Sequence, residues 1–374
     1  MNRHHHLFHF LHNRELNELY ISIAIRTFAL SMVNVFVPIY LLKLGYSLAS
    51  VLIFYAILNA VHALFVIPAS MICSKYGFKH SIFFSIPFLL VFYMLLYSLE
   101  QYSWSLYFPA IVFGFSNALF WMGYHVDFSK FSDRKNRGEE LGVARIISQL
   151  FHIIGPAVGG LILTFIGFKA LFACVSVLLM ASVIPLFFSK DIHEPMNFSL
   201  TEIFNGLNLK DRLAFIGYGI ESGMGTVIWP IFIFFSILNN YTSLGFVSSL
   251  SLFFSLIFIF VISRFSDSYR RLALRIGAVA NAVIWTMRSF VKTGFYVFVI
   301  DSFYGIAQTT INIPFDALCY DKANKSNIVK FIINREIAIQ TGRVFLFLAL
   351  LSVTDLVAGF VLGGVGASVL YLLF

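Results

Sequence analysis

The chain has 374 residues, of which 59% are apolar, 18% are aromatic and only 12% are charged. A soluble fold carries about 25% charged residues because its surface faces water, so this composition excludes an ordinary soluble enzyme. The net charge of +8 comes from 26 basic and 18 acidic residues. These basic residues lie between apolar runs and form no patch on a soluble face, so we expect no nucleic-acid partner.

Twelve apolar runs follow one another along the chain, each about as long as a helix that crosses a bilayer, roughly 20 residues. The breaks between them contain turn and charge signals such as Gly167-Phe168-Lys169 and Asn239-Asn240. The sequence therefore predicts an all-α membrane protein with 12 transmembrane helices, in which the break near Ser352 is the least distinct. The runs cover 19–42, 48–72, 79–98, 104–126, 142–165, 168–188, 212–238, 241–263, 270–291, 294–317, 329–352 and 354–373.

Basic residues are distributed unequally between the two ends of these runs. The N-terminus and the even-numbered connections hold 17 of them, the odd-numbered connections hold 3, and 6 lie inside the runs. The positive-inside rule then predicts cytoplasmic termini, and we expect a multi-pass protein of the plasma (inner) membrane. The start, 1–18, is predicted to be a cytoplasmic tail without a cleavable signal, and its histidines are interpreted as part of that tail and not as a metal site.

The longest hydrophilic break, 189–211, divides the chain into two predicted six-helix bundles, 19–188 and 212–374. Several short patterns recur about 190 residues apart, among them Val37-Pro38 with Trp229-Pro230. Because each half contains an even number of helices, the halves run in the same direction through the membrane. The sequence thus predicts two bundles related by a parallel pseudo-two-fold axis along the membrane normal.

The connection between the second and third runs carries a motif. In the segment 70–79, Lys75, Gly77 and Lys79 match the pattern G-x-x-x-D-[RK]-x-G-[RK]-[RK], while Ser74 stands in place of the aspartate. The corresponding connection in the second half retains the acid and the basic pair in Asp267, Arg270 and Arg271.

These motifs and the twelve-run pattern resemble the major facilitator superfamily over the whole chain. The resemblance implies two six-helix bundles that rock about a central site. It also implies that the fifth helix packs between the halves, where the small residues of 155–160 allow close approach. For Lys75, Gly77, Lys79, Asp267 and the basic pair after it, the resemblance implies a cytoplasmic gate.

Polar residues inside the spans form helical stripes. In the tenth run the stripe residues are spaced three, four and four apart, which places them on one face. The first and fourth runs carry similar stripes, and we interpret the three as the lining of a substrate cavity, with hydrogen bonding between helices as the alternative. The stripes are Asp301, Tyr304, Gln308 and Asn312; Asn117, Trp121 and Tyr124; and Thr27, Ser31 and Asn34.

Charged residues inside a span need a partner or a polar cavity. Arg26 and Glu221 are also assigned to the substrate cavity, where they meet across the halves or share a substrate; in the alternative, each finds a partner within its own half. Asp301 has two alternatives as well: it pairs with Arg288, or it stays unpaired and shuttles a proton.

Two further pairs, Asp127 with Arg145 and Asp316 with Arg335, are predicted to be ion-pair latches at the cytoplasmic ends of helices 4/5 and 10/11. Glu336 and Arg343 are expected to face into the second half. Three isolated cysteines give neither a disulfide framework nor a zinc motif, and we expect no metal and no cofactor.

The function predicted from these features is secondary active transport of a small organic solute by alternating access. Coupling to protons and the direction of transport stay open, with efflux as one alternative. The expected partners are the solute, the lipid bilayer and, with coupling, protons, and we expect a monomer. A non-transporting sensor or assembly factor on the same scaffold is the main rival, and the absence of intramembrane protease motifs argues against an enzyme.

Overall fold

A computed structural model of the chain describes residues 14–102, 104–131, 137–188, 207–353 and 355–374. At 14–16, 127–131, 137–145, 147, 259–268 and 324 the backbone alone is described. The described ranges are helical and contain no β-strand, in agreement with the predicted all-α class.

The first half contains six helices. Helix α1 consists of Arg14–Val33 and, after a turn at 34–36, Val37–Lys43. A short 3₁₀ turn, Ile184–Phe187, extends the sixth helix. The others are α2 (Leu48–Tyr76), α3 (Phe78–Ser98), α4 (Tyr107–Phe131), α5 (Arg137–Phe165) and α6 (Phe168–Val183).

The second half has a similar series. Helix α7 consists of Leu209–Gly223, a π-helical turn at Met224–Ile228, Trp229–Ile233 and a second π-helical turn at Phe234–Leu238. A 3₁₀ turn, Leu350–Ser352, follows the eleventh helix and separates it from the last one. The others are α8 (Tyr241–Ser268), α9 (Arg270–Arg288), α10 (Gly294–Asn324), α11 (Ile328–Ala349) and α12 (Leu356–Tyr371).

The two prolines of the sequence repeat interrupt their helices in the same way. Proline has no N–H to donate, and its ring collides with the carbonyl group four residues earlier. In α1 the turn at 34–36 ends two residues before Pro38, and in α7 the π-helical turn at Met224–Ile228 ends two residues before Pro230. The matching sequence pattern therefore produces matching breaks in the first helix of each half.

Within the described residues, seven helical segments are long and apolar enough to cross a membrane. They are α1, α2, α3, the part of α5 from 148 to 165, α6, α7 and the part of α8 from 241 to 258. Helices α9 and α11 fail this test because each carries several charged residues, such as Arg275 in α9 and Arg335 and Glu336 in α11. Arg335 and Glu336 have buried partners, described below, that the composition of a single helix cannot reveal, whereas Arg275 is exposed.

Helix packing repeats between the halves. In the first half α1 packs against α5 and α6, α4 packs against α2 and α3, and α3 contacts α6. Each of these pairs has its counterpart six helices later: α7 with α11 and α12, α10 with α8 and α9, and α9 with α12. The halves meet chiefly where α5 packs against α8 and α2 packs against α11.

Two ends of the helix assembly can be distinguished by charge. The odd-numbered helices begin at one end, which we call the basic end because Lys75, Lys79, Arg270 and Lys322 lie there. Contacts such as that between Lys79, at the start of α3, and Glu18, at the start of α1, join neighbouring helices at this end. The opposite end is called the far end.

Close packing between the halves depends on small residues of α5 and α8. A Cβ atom at Gly160 would lie 2.6 Å from the carbonyl oxygen of Tyr241, and one at Gly245 would lie 2.2 Å from that of Pro156. Both distances are far below a van der Waals contact, so a side chain at either glycine would push the two helices apart. Of the three glycines in the 155–160 segment, Gly160 therefore lies between the halves as expected, whereas Gly155 and Gly159 pack against α1 of their own half.

Candidate functional site

Glu221 lies at the centre of a buried hydrogen-bond network in the second half. Its carboxylate accepts hydrogen bonds from Nδ2 of Asn281 (2.9 Å), Nε1 of Trp285 (2.9 Å) and Nε2 of Gln308 (2.7 Å). Only 1% of the residue is exposed. Three neutral donors from α9 and α10 thus form hydrogen bonds with the buried carboxylate of Glu221. Among the described residues no cation forms an ion pair with it.

Asn281 also donates to Oγ of Ser368 at 2.9 Å, so the Glu221 network reaches α12 as well. The sequence interpretation did not include Asn281 or Trp285. Their spacing offered a signal, because Asn281, Trp285 and Arg288 stand four and three residues apart and therefore lie on one face of α9.

Arg288 and Asp301 form an ion pair at the far end, between α9 and α10. Nη2 of Arg288 donates to Oδ1 of Asp301 at 2.8 Å, and Nε1 of Trp229 donates to the same carboxylate at 2.8 Å. The guanidinium lies 4.4 Å or less from the ring centres of Trp229, Trp285 and Tyr304. Of the two alternatives for Asp301, the structure contains the pairing with Arg288.

Residues of the α10 stripe form their hydrogen bonds mainly with residues of the second half. Gln308 contacts Glu221, and Asn312 donates to Oε1 of Gln308 over 3.5 Å. All four stripe residues are half-buried. Helical spacing correctly placed them on one side of α10, and what they contact was decided by the packing of α7 and α9.

Arg26 does not meet Glu221. Its guanidinium lies 3.7 Å from the ring centre of Phe120 in α4, and its Nε and Nη1 atoms have no hydrogen-bond partner among the described residues. The residue is 4% exposed. Glu221 therefore has hydrogen-bond partners within its own half, as the alternative expected, whereas the contact given for Arg26 in its half is with the Phe120 ring.

The residues of the α1 and α4 stripes differ in how far they are buried. Ser31 is 5% exposed, donates to the carbonyl oxygen of Phe28 in its own helix and packs directly against Gly155 of α5. Its assignment to a cavity is therefore wrong, because α5 approaches too closely to leave space. Thr27, Asn117 and Tyr124 are half-buried, while Asn34 is exposed at the break in α1.

Trp121 is 37% exposed, and its ring stacks on that of His125 with 5.4 Å between ring centres. His125 in turn contacts α10, because its Nδ1 atom lies 3.1 Å from the hydroxyl of Tyr320. Since Trp121 is one helical turn from His125, its side chain lies on the face of α4 that is directed toward the second half.

A second buried network, which we call the basic-end network, joins the halves through His62, His125, Tyr320, Arg335 and Glu336. Nη1 of Arg335 donates to Oε1 of Glu336 at 2.6 Å and to Nε2 of His125 at 3.1 Å. Nε2 of His62 lies 3.7 Å from Oε2 of Glu336. All five residues are buried, and they come from α2, α4, α10 and α11.

The protonation of His125 follows from these partners. Arginine can only donate a hydrogen bond, so Nε2 of His125 is an acceptor in this arrangement. A neutral His125 ring would then carry its proton on Nδ1 and donate it to Tyr320, and Nε2 is also 3.5 Å from Oε1 of Glu336. By contrast, neither ring nitrogen of His62 has a hydrogen-bond partner in the described part of the chain.

This network changes two of the sequence expectations. The predicted ion pair between Asp316 and Arg335 is present at 3.8 Å, but Glu336, which was not part of the predicted latch, is closer to Arg335, at 2.6 Å. Glu336 was expected to face into the second half; that expectation is wrong, since it contacts His62 and His125 of the first. The side chains of Asp127 and Arg145 lie outside the described residues.

Aromatic residues join the halves at the far end. Tyr241 at the start of α8 contacts Phe36 of α1 at 6.1 Å and Phe168 of α6 at 5.6 Å between ring centres. Thr164 and Thr242 lie beside this cluster, and their hydroxyl oxygens are 2.7 Å apart. The halves are therefore in contact both at the far end and at the basic end.

Comparison with known protein families shows the family to which this chain belongs. The family model described as Major Facilitator Superfamily matches residues 19–206. The chain belongs to the major facilitator superfamily. It is accordingly an integral, multi-pass membrane transporter with apolar transmembrane helices.

A solved structure described as a POT family transporter in complex with 5-aminolevulinic acid has the same fold as this superfamily member. The TM-score is 0.75 and the sequence identity is 12%, and the alignment covers 97% of this chain and 96% of that one. No curated protein sequence matches the chain.

The superfamily motif residues have separate local roles. Gly77 joins α2 to α3 with a φ of 101°, a conformation that favours glycine. Lys79 is buried and forms an ion pair with Glu18 at 3.2 Å, while Nζ of Lys75 lies 5.2 Å from the centre of the Tyr76 ring. Ser74, in place of the aspartate, donates to the carbonyl oxygen of Met71 in its own helix.

The second-half motif residues diverge in a similar way. Arg270 pairs with Asp321 of α10 at 2.7 Å, while Arg271 lines a cavity at the basic end. The side chain of Asp267 lies outside the described residues. In the described part of the chain, no three His, Cys, Asp or Glu side chains are grouped so that they could hold a metal ion.

Proposed function

We propose that this protein is a secondary active transporter that moves a small organic solute by alternating access. In this proposal twelve spans form two six-helix bundles, 19–188 and 212–374, related by a parallel pseudo-two-fold axis. The repeated helix packing and the matching breaks in α1 and α7 support this arrangement. Both termini lie in the cytoplasm, the membrane is the plasma membrane, and the protein acts as a monomer.

The observation that carries the proposal is the pair of contacts between the halves. The basic-end network closes one side, and the aromatic cluster of Phe36, Phe168 and Tyr241 closes the other. We interpret this arrangement as an occluded state. Rocking of the halves would release one closure at a time, and ligands would drive that rocking through different affinities for the two states.

Arg343 is the candidate for solute recognition between the two closures. Its Nε donates to Oγ of Ser222 at 2.8 Å and its Nη1 to Oε1 of Gln340 at 3.1 Å. Among the described residues no acid forms an ion pair with it, so its charge is available to a solute carboxylate. Trp121, Gln308 and Asn312 complete the polar and aromatic lining in this proposal.

We therefore propose a carboxylate-bearing solute. The ligand named for the similar POT family structure, 5-aminolevulinic acid, carries this group and serves as a first probe. Labelled 5-aminolevulinic acid would be followed into proteoliposomes, beside other small amino and peptide carboxylates. Arg343→Gln should abolish carboxylate flux, Arg343→Lys should keep part of it, and Lys292→Gln, an exposed far-end control, should not change it.

Alternating access can be tested with a cross-link at the far end. Because the hydroxyls of Thr164 and Thr242 are 2.7 Å apart, cysteines at these positions can form a disulfide. In a background with the three native cysteines replaced by serine, oxidation should stop flux and reduction should restore it. Unchanged flux in the fully cross-linked protein would contradict the rocking of the two halves.

We assign proton coupling to His62, His125 and Glu336, because they are buried between the halves and any opening of the basic end changes their surroundings. Glu336→Gln should abolish uptake driven by a pH gradient and leave solute exchange intact. Loss of exchange as well would refute a role specific to protons. Asp301 is the weaker candidate, since it already forms an ion pair with Arg288 within the second half.

A non-transporting sensor on the same scaffold is the second candidate. Ser74 supports it, because this residue bonds within α2 and cannot supply the charge of the motif aspartate. Solute binding to the purified protein without flux of any tested carboxylate would favour the sensor.

A further inference from the structure

A cavity of about 410 Å³ lies at the basic end of the second half, where the ends of α7, α9, α10 and α12 meet. Four cations line it, Lys210, Arg271, Arg275 and Lys322, against a single acid, Asp211. Lys322 is paired with Asp211 at 2.5 Å. The other three cations are exposed and have no ion pair among the described residues, so basic side chains outnumber acidic ones in the cavity.

Tyr371 also borders this cavity and contains a buried polar atom. It lines the cavity and is 1% exposed, yet its hydroxyl has no hydrogen-bond partner among the described residues. A buried hydroxyl without a partner is unfavourable. In addition, α9 begins at Arg270 with no side-chain cap, so its N-terminal N–H groups add to the positive potential.

These groups are suited to a phosphate. Arginine presents paired N–H donors that match two phosphate oxygens, and the remaining oxygens can accept from the ammonium group of Lys210. The cavity volume falls in the range of small-molecule sites, about 300–1,000 Å³, which is enough for a phosphate with a small alcohol attached.

An exposed apolar stripe runs along α9 from this cavity. Leu272, Ile276, Val279 and Val283 are between 50% and 58% exposed and are spaced four, three and four apart. They follow directly on Arg271 and Arg275 and continue toward the far end. A free phosphate ion would make no contact with this apolar stripe, whereas the acyl chains of a lipid would cover it.

We propose that this cavity binds the phosphate group of an anionic phospholipid whose acyl chains lie along the α9 stripe. The site is separate from the solute pathway proposed above, since it opens at the ends of α7, α9, α10 and α12 and shares none of the residues placed between the two closures. It gives the second half a lipid contact at the bilayer surface, where juxtamembrane cations attract anionic headgroups.

The test uses the purified full chain in detergent. Dioctanoyl phosphatidylglycerol, dioctanoyl phosphatidylcholine and inorganic phosphate are titrated separately, and Kd is measured by thermophoresis. The double variant Lys210→Gln/Arg275→Gln is compared with Lys325→Gln/Lys330→Gln, which removes the same charge at the basic end outside the cavity. Each variant is first checked for an unchanged elution volume and thermal midpoint.

We expect the phosphatidylglycerol affinity to fall about 10- to 30-fold in the cavity variant, given roughly a factor of five per juxtamembrane cation, and to stay within about twofold in the control variant. An equal loss in both variants would overturn the proposal, because it would reflect net charge alone. Inorganic phosphate that binds as tightly as phosphatidylglycerol would overturn the lipid as the ligand, because the acyl chains would then contribute nothing. A cavity variant that elutes as an aggregate is replaced by Arg275→Lys, which loses the paired N–H donors and for which a smaller loss of affinity is still expected.

Discussion

Replacing Gly245 by alanine should weaken the contact between the two halves. The new Cβ atom would lie 2.2 Å from the carbonyl oxygen of Pro156, whereas ordinary contacts begin near 3.4 Å, so α5 and α8 must separate by about 1 Å. The obstructing atoms belong to the backbone and cannot rotate away. The hydrogen bond from the amide of Ala157 to Oγ of Ser249, 2.9 Å long, also bridges these helices and would lengthen.

Overpacking of this kind costs about 1–3 kcal/mol, while alanine in a helix gains up to about 1 kcal/mol over glycine. Gly366→Ala is the matched control, because a Cβ at that position meets nothing within 4 Å. The propensity gain is common to both variants, so Gly245→Ala should be less stable than Gly366→Ala by about 1–3 kcal/mol.

The assay is unfolding in mixed detergent micelles, followed by tryptophan fluorescence and extrapolated to zero denaturant. A second readout is the rate of disulfide formation between cysteines at 164 and 242, which should fall in the Gly245→Ala background and stay unchanged with Gly366→Ala. Equal stabilities and equal cross-linking rates for the two alanine variants would show that α5 and α8 are not in close contact.

Three further substitutions test the buried networks. Arg335→Gln removes the charged partner of Glu336, which costs about 3–5 kcal/mol of stability when the pair is buried. The basic end should then open. As a result, the buried Cys73 should react with maleimide faster than in the parent protein. Glu221→Gln turns an amide N–H₂ group toward three donors and should lower stability by about 1–3 kcal/mol, read as a lower thermal midpoint. Arg288→Lys keeps the charge but loses the flat guanidinium between aromatic rings, so it should cost about 1–2 kcal/mol.

Each of these has its own control. The half-buried Cys174 should label equally with and without Arg335→Gln; a parallel rise at both cysteines would indicate general unfolding. Lys292→Gln, in the same far-end region as Arg288, should leave the thermal midpoint unchanged. A Glu221→Gln protein as stable as the parent would mean that the carboxylate is already protonated, since a protonated acid and an amide both present one donor and one acceptor.

The sequence by itself determined the helical, membrane-spanning character of this protein, because a run of about 20 apolar residues has no other stable arrangement in a bilayer. It also determined where proline interrupts α1 and α7, since the missing N–H acts within a single turn. Periodicity alone placed Asp301, Gln308 and their neighbours on one side of α10.

The partners of these residues were decided by the tertiary structure. Glu221 accepts a hydrogen bond from Asn281, which is 60 positions away in the chain. Arg335 contacts His125, which is 210 positions away. A helical stripe specifies a direction around one axis, but the neighbour in that direction depends on how the helices pack. Ser31 illustrates the limit: its spacing fits a cavity, and the approach of Gly155 fills the space with another helix.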